Sequence, residues 1–280
     1  MPLYGVFLSA LGTFFGELAS SFGKRKVKEK DLSPYSMAFV QTVGALVLFG
    51  LWILVKQDSF VFQTASLKTF LPRLVLEILQ LQAMVFGLIN ADRSTFTFLR
   101  VGTVPLLLTV DVILGYALSW FQIIGIAIIA STFLVVFVAP QVKKVGTRWV
   151  VFGMFNAVAT ISLYKYDITH FNSVAAEQIF IIIPTLIYLF FMARIMAQEN
   201  PFTFFRRASY IGQALFEGGG SVSINFAYVF APASVITAAK RSTEVLWGVL
   251  AGWLYFREKS PFFKFSLFIL LSGGLILLVL

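Results

Sequence analysis

The stretch APASVITAAKRSTEVLWGVLAGWLYFREK, residues 231–259, is long and apolar enough to cross a bilayer, yet it carries Lys240, Arg241 and Glu244 well inside it. Charge at membrane depth costs on the order of 2.5–3.5 kcal/mol per residue on insertion scales, so it persists where it faces a protein interior or a water-filled cavity. On a helix, Glu244 is one turn from Lys240 and three residues from Arg241, so one carboxylate reaches both cations but neutralises one. Two readings follow. The three residues are a buried ion cluster that fixes helix packing, or they belong to a substrate or coupling site.

Glu17 is the only acidic residue of the first apolar segment and adjoins a Gly12-xxx-Gly16 pattern that admits a close neighbour. A lone intramembrane carboxylate can hold either a proton or a cationic group, which a proton-coupled carrier requires. Its bland alternative is a hydrogen bond across a helix interface. Arg100, five residues before Pro105, can meet an anionic substrate or pair with an acidic neighbour. Glu77, Asp111, Gln213, Glu217 and Asn225 are secondary candidates. Glu177 reads as interfacial, Glu258 as a turn residue, and Gly248-xxx-Gly252 as close packing within the chain or across a homodimer. A cavity holding both signs suits a zwitterionic or amphipathic small-molecule substrate better than a simple cation or anion pore.

Helices must position these groups. Of the 280 residues, 59% are hydrophobic and 12% charged, against about 25% charged in soluble domains; the mean hydropathy is +0.87. No soluble core hides so much apolar surface, so the bilayer is the expected solvent and constant partner. Segments of about 20 residues, each able to span ~30 Å of hydrocarbon, fall at 3–23, 34–55, 70–90, 94–115, 118–139, 148–166, 174–196, 207–228, 232–254 and 261–280. They predict an all-α integral membrane protein with ten transmembrane helices, located in a cell membrane, the inner membrane if the source is prokaryotic. Pro34, Pro72 and Pro261 are expected at helix starts, and Pro105 and Pro184 predict kinks. Polar residues and the glycines 218–220 interrupt the eighth segment, which should face protein; the glycines either loosen the helix or admit a neighbour.

The PQVKKVG stretch at 140–146 divides the chain into residues 1–140 and 147–280, with five segments each. A weak match at an offset of about 142 sets GYALS and the following Gln122 against REKSP and the following Lys264. An odd number of spans per repeat forces the two copies into opposite orientations, the inverted-repeat design of many secondary transporters. Fifteen Lys and Arg residues adjoin the loops after odd-numbered segments, and four (Lys56, Lys68, Arg73 and Lys165) lie on the other side. This asymmetry places the odd-numbered loops in the cytoplasm and both termini outside.

The ending RSTEVLWGVLAGWLYFREKSPFFKFSLFILLSGGLILL runs from a small-residue-rich helix through Glu258 to a closing apolar helix with Gly273 and Gly274. It resembles the end of EamA-type transporters of the drug/metabolite transporter superfamily. The first half ends similarly, GYALSWFQIIGIAII, with Tyr116 where that family usually has Glu. LSALGTFFGELASSFGKR, residues 8–25, is similar to the first helix of small multidrug resistance proteins, with a lone mid-helix glutamate and a basic exit. The resemblance implies two inverted five-helix repeats, secondary transport, and termini in the cytoplasm, the reverse of the charge count. Lys240-Arg241 also resembles the phosphate-binding pair of triose-phosphate translocators in that superfamily, which implies a phosphorylated substrate.

The expected function is secondary active transport of a small organic solute or metabolite by alternating access, with the proton as candidate coupling ion. The alternatives are a proton-coupled exporter of cationic or amphipathic toxic compounds and a non-transporting scaffold or scramblase. The chain has no GxSxG, HExxH or Walker A motif, so an enzyme is not expected. His170 is single and Cys is absent, so no metal or cofactor is expected. The net charge of +9 gathers at segment ends, so nucleic acid is not an expected partner. Residues 1–23 lack a basic lead, so no cleavable signal peptide is expected.

Overall fold

Hydrocarbon offers no water to backbone N–H and C=O groups, so a chain this apolar closes its hydrogen bonds within helices. The computed structural model describes residues 2–56, 60–113, 119–138, 146–255, 257 and 261–279, and among them it contains helices and no strands. The α-helices are α1 (Pro2–Lys28), α2 (Pro34–Val55), α3 (Leu67–Asn90), α4 (Arg93–Arg100), α5 (Thr103–Ile113), α6 (Trp120–Val138), α7 (Thr147–His170), α8 (Val174–Met196), α9 (Ala208–Ala227), α10 (Ala233–Leu254) and α11 (Pro261–Val279). Among the described residues, five stretches are long and apolar enough to cross a membrane on length and composition: Leu3–Lys28, Pro34–Val55, Thr64–Gly87, Thr95–Ile113 and Val174–Met196. Phe262 and Trp120 are 90% and 78% exposed, as suits side chains facing lipid.

Each segment expected from the sequence coincides with a helix, except that the fourth is divided into α4 and α5 at Val101 and Gly102. Pro34 and Pro261 open helices, but Pro72 lies inside α3, which begins earlier than its apolar run. Ser33 caps α2, its hydroxyl accepting from the Ser36 N–H, with Pro34 at the first helical position. The matched pieces at 115–118 and 258–260, with Tyr116 and Glu258, lie outside the described residues, as does most of the 140–146 divide.

Helix α9 runs unbroken through its glycines, and α1 and α2 both lie along it. A Cβ at Gly44 would collide with the carbonyl of Ala214, and one at Gly12 would lie 2.7 Å from the carbonyl oxygen of Gly220. Small residues therefore bring these backbones into contact, the second of the two roles open to the glycine run.

The turns gather at two ends of the bundle. At one end, Lys24 Nζ donates to the Ala91 carbonyl (2.7 Å), and Arg207 and the Tyr210 hydroxyl donate to Asp31 (2.7 and 2.8 Å). Glu199 there accepts from the Ser33 N–H (3.0 Å) and the Ser36 hydroxyl (2.5 Å). At the other end, Val61 and Ser173 bond each other, the Gln63 N–H donates to Asn172, and Lys165 donates to the Tyr228 carbonyl. The basic 24–30 turn and Arg206–Arg207 therefore share one end, in keeping with the charge asymmetry of the sequence.

Candidate functional site

A cavity of about 400 Å³ lies where α1, α2, α3, α4, α8, α9 and α10 meet. Its volume is in the ~300–1,000 Å³ range of small-molecule sites. Its charged lining residues are Glu17 of α1, Glu77 of α3, Arg100 of α4, Glu217 of α9, and Lys240 and Glu244 of α10. Gly16 lies on its wall, where a Cβ would meet nothing within 4 Å.

Helix periodicity builds the ion cluster on α10. Arg241 Nη1 lies 2.5 Å from Glu244 Oε2, and Lys240 Nζ lies 4.0 Å from Glu244 Oε1. A third cation comes from α4: Arg100 Nη1 is 3.6 Å from Glu244 Oε2, with its guanidinium 5.1 Å from the Phe96 ring centre. Helices α4 and α10 can approach because Gly248 faces Thr97; a Cβ there would lie 2.6 Å from the threonine side chain. Arg241 is buried behind Glu244 and does not line the cavity. Of the small-residue readings of Gly248, the contact within the chain is the one seen.

The remaining acidic groups have distinct settings. Glu17 accepts a hydrogen bond from the Ser21 hydroxyl at 2.7 Å. Glu77 pairs with Arg73 of the same helix at 3.4 Å. Arg73 also bonds Glu177 and lies 4.5 Å from the Tyr164 ring centre. Asn172 donates to the second oxygen of Glu177 at 2.5 Å. Glu177, in the first turn of α8, is thus fully buried by protein, and Arg73, counted from sequence as a loop charge, is 2% exposed.

Three secondary candidates do not reach the cavity lining. Asp111 accepts from the Ser234 N–H at the first turn of α10 (3.3 Å). Gln213 donates to the Ala19 carbonyl (3.3 Å), tying α9 to α1. Asn225 accepts from Gln178 (2.9 Å) and donates to the Ser221 carbonyl. The sequence reading also passed over lining residues, above all Gln41 of α2, whose amide nitrogen is buried without a hydrogen-bond partner among the described residues. Its signal was faint: a neutral amide beside Thr42 in an apolar run.

The arrangement can hold and separate charge. Among the described residues, no group of three or more His, Cys, Asp or Glu is placed to hold a metal ion. No protein-family model matches the chain, and no curated protein matches it.

Proposed function

We propose that this protein is a secondary active transporter, carrying a small organic solute across the membrane by alternating access. The observation that carries the reading is the mid-bundle cavity, lined by charged side chains from both halves of the chain. Arg100, Lys240 and Glu77 keep 17%, 21% and 28% of their side-chain surface accessible. A scaffold is served by a closed, fully paired core; a carrier needs an accessible, charged chamber.

The proposed architecture is ten transmembrane helices in two inverted five-helix repeats, with α4 and α5 forming one span. Exchanging the halves relates α1 to α7, α2 to α8, α3 to α9, α4–α5 to α10, and α6 to α11. The contacts support this correspondence. Helix α1 lies against α9 as α7 lies against α3, and α1 against α10 as α7 against α4 and α5. The α2–α8 and α6–α11 contacts map onto themselves. The largest departure from symmetry is that α2 packs closely along α9, whereas α8 and α3 meet through long side chains, Arg73 with Glu177 and Tyr188 with Gln82. Interchanging the two contacts would expose the same cavity to the other side, which is alternating access in an inverted-repeat protein.

Glu17 is the proposed coupling group. A proton and a cationic substrate group compete for its carboxylate, so each weakens the binding of the other by the same factor. The test is uptake into proteoliposomes of a panel of amines, amino acids, organic acids and phosphorylated metabolites, with and without a pH gradient. Gradient-driven accumulation of at least one compound is expected in the wild type, and its loss in Glu17→Gln. Undiminished accumulation in the variant would move coupling to Glu77 or Glu217. Uptake of no compound under either condition would overturn the transport reading.

A further inference from the structure

At the end of the bundle opposite the basic turns, α3, α7 and α8 enclose a second polar group that is not part of the cavity lining. Asp167 of α7 and Glu177 of α8 are both fully buried there. Their carboxyl groups lie within hydrogen-bonding reach of each other. Both oxygens of Glu177 are answered: one accepts from Arg73 of α3, the other from the Asn172 amide at 2.5 Å. Asp167 is answered on one side. Its Oδ1 accepts from the Thr69 hydroxyl at 2.5 Å, whereas Oδ2 is buried without a hydrogen-bond partner among the described residues.

The cation between the two acids is already shared. Arg73 also pairs with Glu77 at 3.4 Å and lies 4.5 Å from the Tyr164 ring centre. The other charged groups of the surrounding elements are turned elsewhere. Lys165 donates to the Tyr228 carbonyl at 2.6 Å, and Asp111 of α5 accepts from the Ser234 N–H. His170 is exposed and bonds the Tyr166 carbonyl at 2.9 Å, and Lys56 and Lys68 are exposed. Helix α2 brings Phe49 and Ile53 to the apolar cluster around Val174 and Ala175 of α8. Two carboxylates in contact and away from water do not both ionise, and a buried oxygen with no partner costs the desolvation of that group.

We propose that Asp167 and Glu177 form a proton-binding site, with one proton on Asp167 Oδ2 donated to the Glu177 carboxylate. A protonated carboxyl has one O–H to give, so the same proton supplies the missing partner and removes one of the two like charges. Its release leaves Asp167 competing with Glu77 of the cavity lining for Arg73, which links the buried proton to the charge at the cavity. Neither acid of the pair lines the cavity, so the site stands whether or not the chain transports.

The test follows denaturant unfolding of the full chain in detergent from about pH 5 to about pH 8, above the ordinary carboxyl range. Every variant carries His170→Gln, which removes the single imidazole of the chain. Asp167→Asn puts an N–H where the proton sits and leaves Glu177 ionised. The folded reference chain holds one proton that its unfolded form lacks, whereas the Asn variant holds none. The unfolding constant of the reference relative to the variant should therefore rise about tenfold per pH unit while the pair keeps its proton. A ratio that stays level or falls with pH overturns the site. Should Asp167→Asn fail to fold, infrared spectra of the reference chain in lipid decide. A protonated-carboxyl band at neutral pH that Glu177→Gln abolishes supports the site; no such band, or one that survives Glu177→Gln, overturns it.

Discussion

Glu244 has three cations around it at unequal distances, and that inequality decides its energetics. Removing it leaves Arg100, Lys240 and Arg241 with less compensation than before, at a cost of about 3–5 kcal/mol for breaking a buried pair. Glu244→Gln should therefore destabilise the protein more than the double variant with Arg241→Met, relative to the sum of single losses. Coupling should be larger with Arg241, at 2.5 Å, than with Lys240, at 4.0 Å. Double-mutant cycles of denaturant unfolding in detergent measure both, and additive losses at Arg241 would contradict the cluster. At this scale the sequence was informative where charge interrupts an apolar run. Glu17, Arg100 and Glu244 stand out for that reason. Arg73 did not, because near a segment boundary membrane topology already explains a basic residue. Asp111 and Asn225 stood out but lie elsewhere, since sequence periodicity fixes the face of a helix more firmly than the depth along it.

Helices α2 and α9 approach through backbone, and two glycines on α2 give a controlled comparison. A Cβ at Gly44 would overlap the Ala214 carbonyl, whereas one at Gly50 would meet nothing within 4 Å. Gly44→Ala should destabilise by about 1–3 kcal/mol through overpacking. Gly50→Ala should be neutral or stabilising by up to about 1 kcal/mol, since alanine favours a helix. Thermal unfolding of both variants checks this, and equal effects would contradict the packing. At the basic end, hydrogen bonds from Arg207 and then Tyr210 hold the Asp31 carboxyl below its usual range. A group with a lowered folded-state value adds stability above its unfolded value and loses it as pH falls through the folded one. The gap in unfolding midpoint between wild type and Asp31→Asn should hold from neutral pH to about pH 4, the usual aspartate range, and close below it. A gap that widens on acidification would contradict the contact. Helix positions were legible from apolar length alone. The break at Val101–Gly102 was not, because one glycine after Arg100 does not by itself end a helix, and Pro105 marks only its neighbourhood.

In the whole molecule, the sequence pattern of ten apolar segments carries over into helices that cross-pack between the two halves. The inequality between the α2–α9 and α3–α8 contacts had no sequence signal, since it belongs to one conformation of a chain that we propose has two. Alternating access requires that a single position in the cavity meet both sides of the membrane. Ser20 lines the cavity, and the chain contains no cysteine, so Ser20→Cys provides a unique thiol there. The direct measurement is labelling of that thiol by a membrane-impermeant reagent, applied to one face and then, in separate vesicles, to the other. Alternating access predicts labelling from each face; labelling confined to one face, or absent from both, would contradict it.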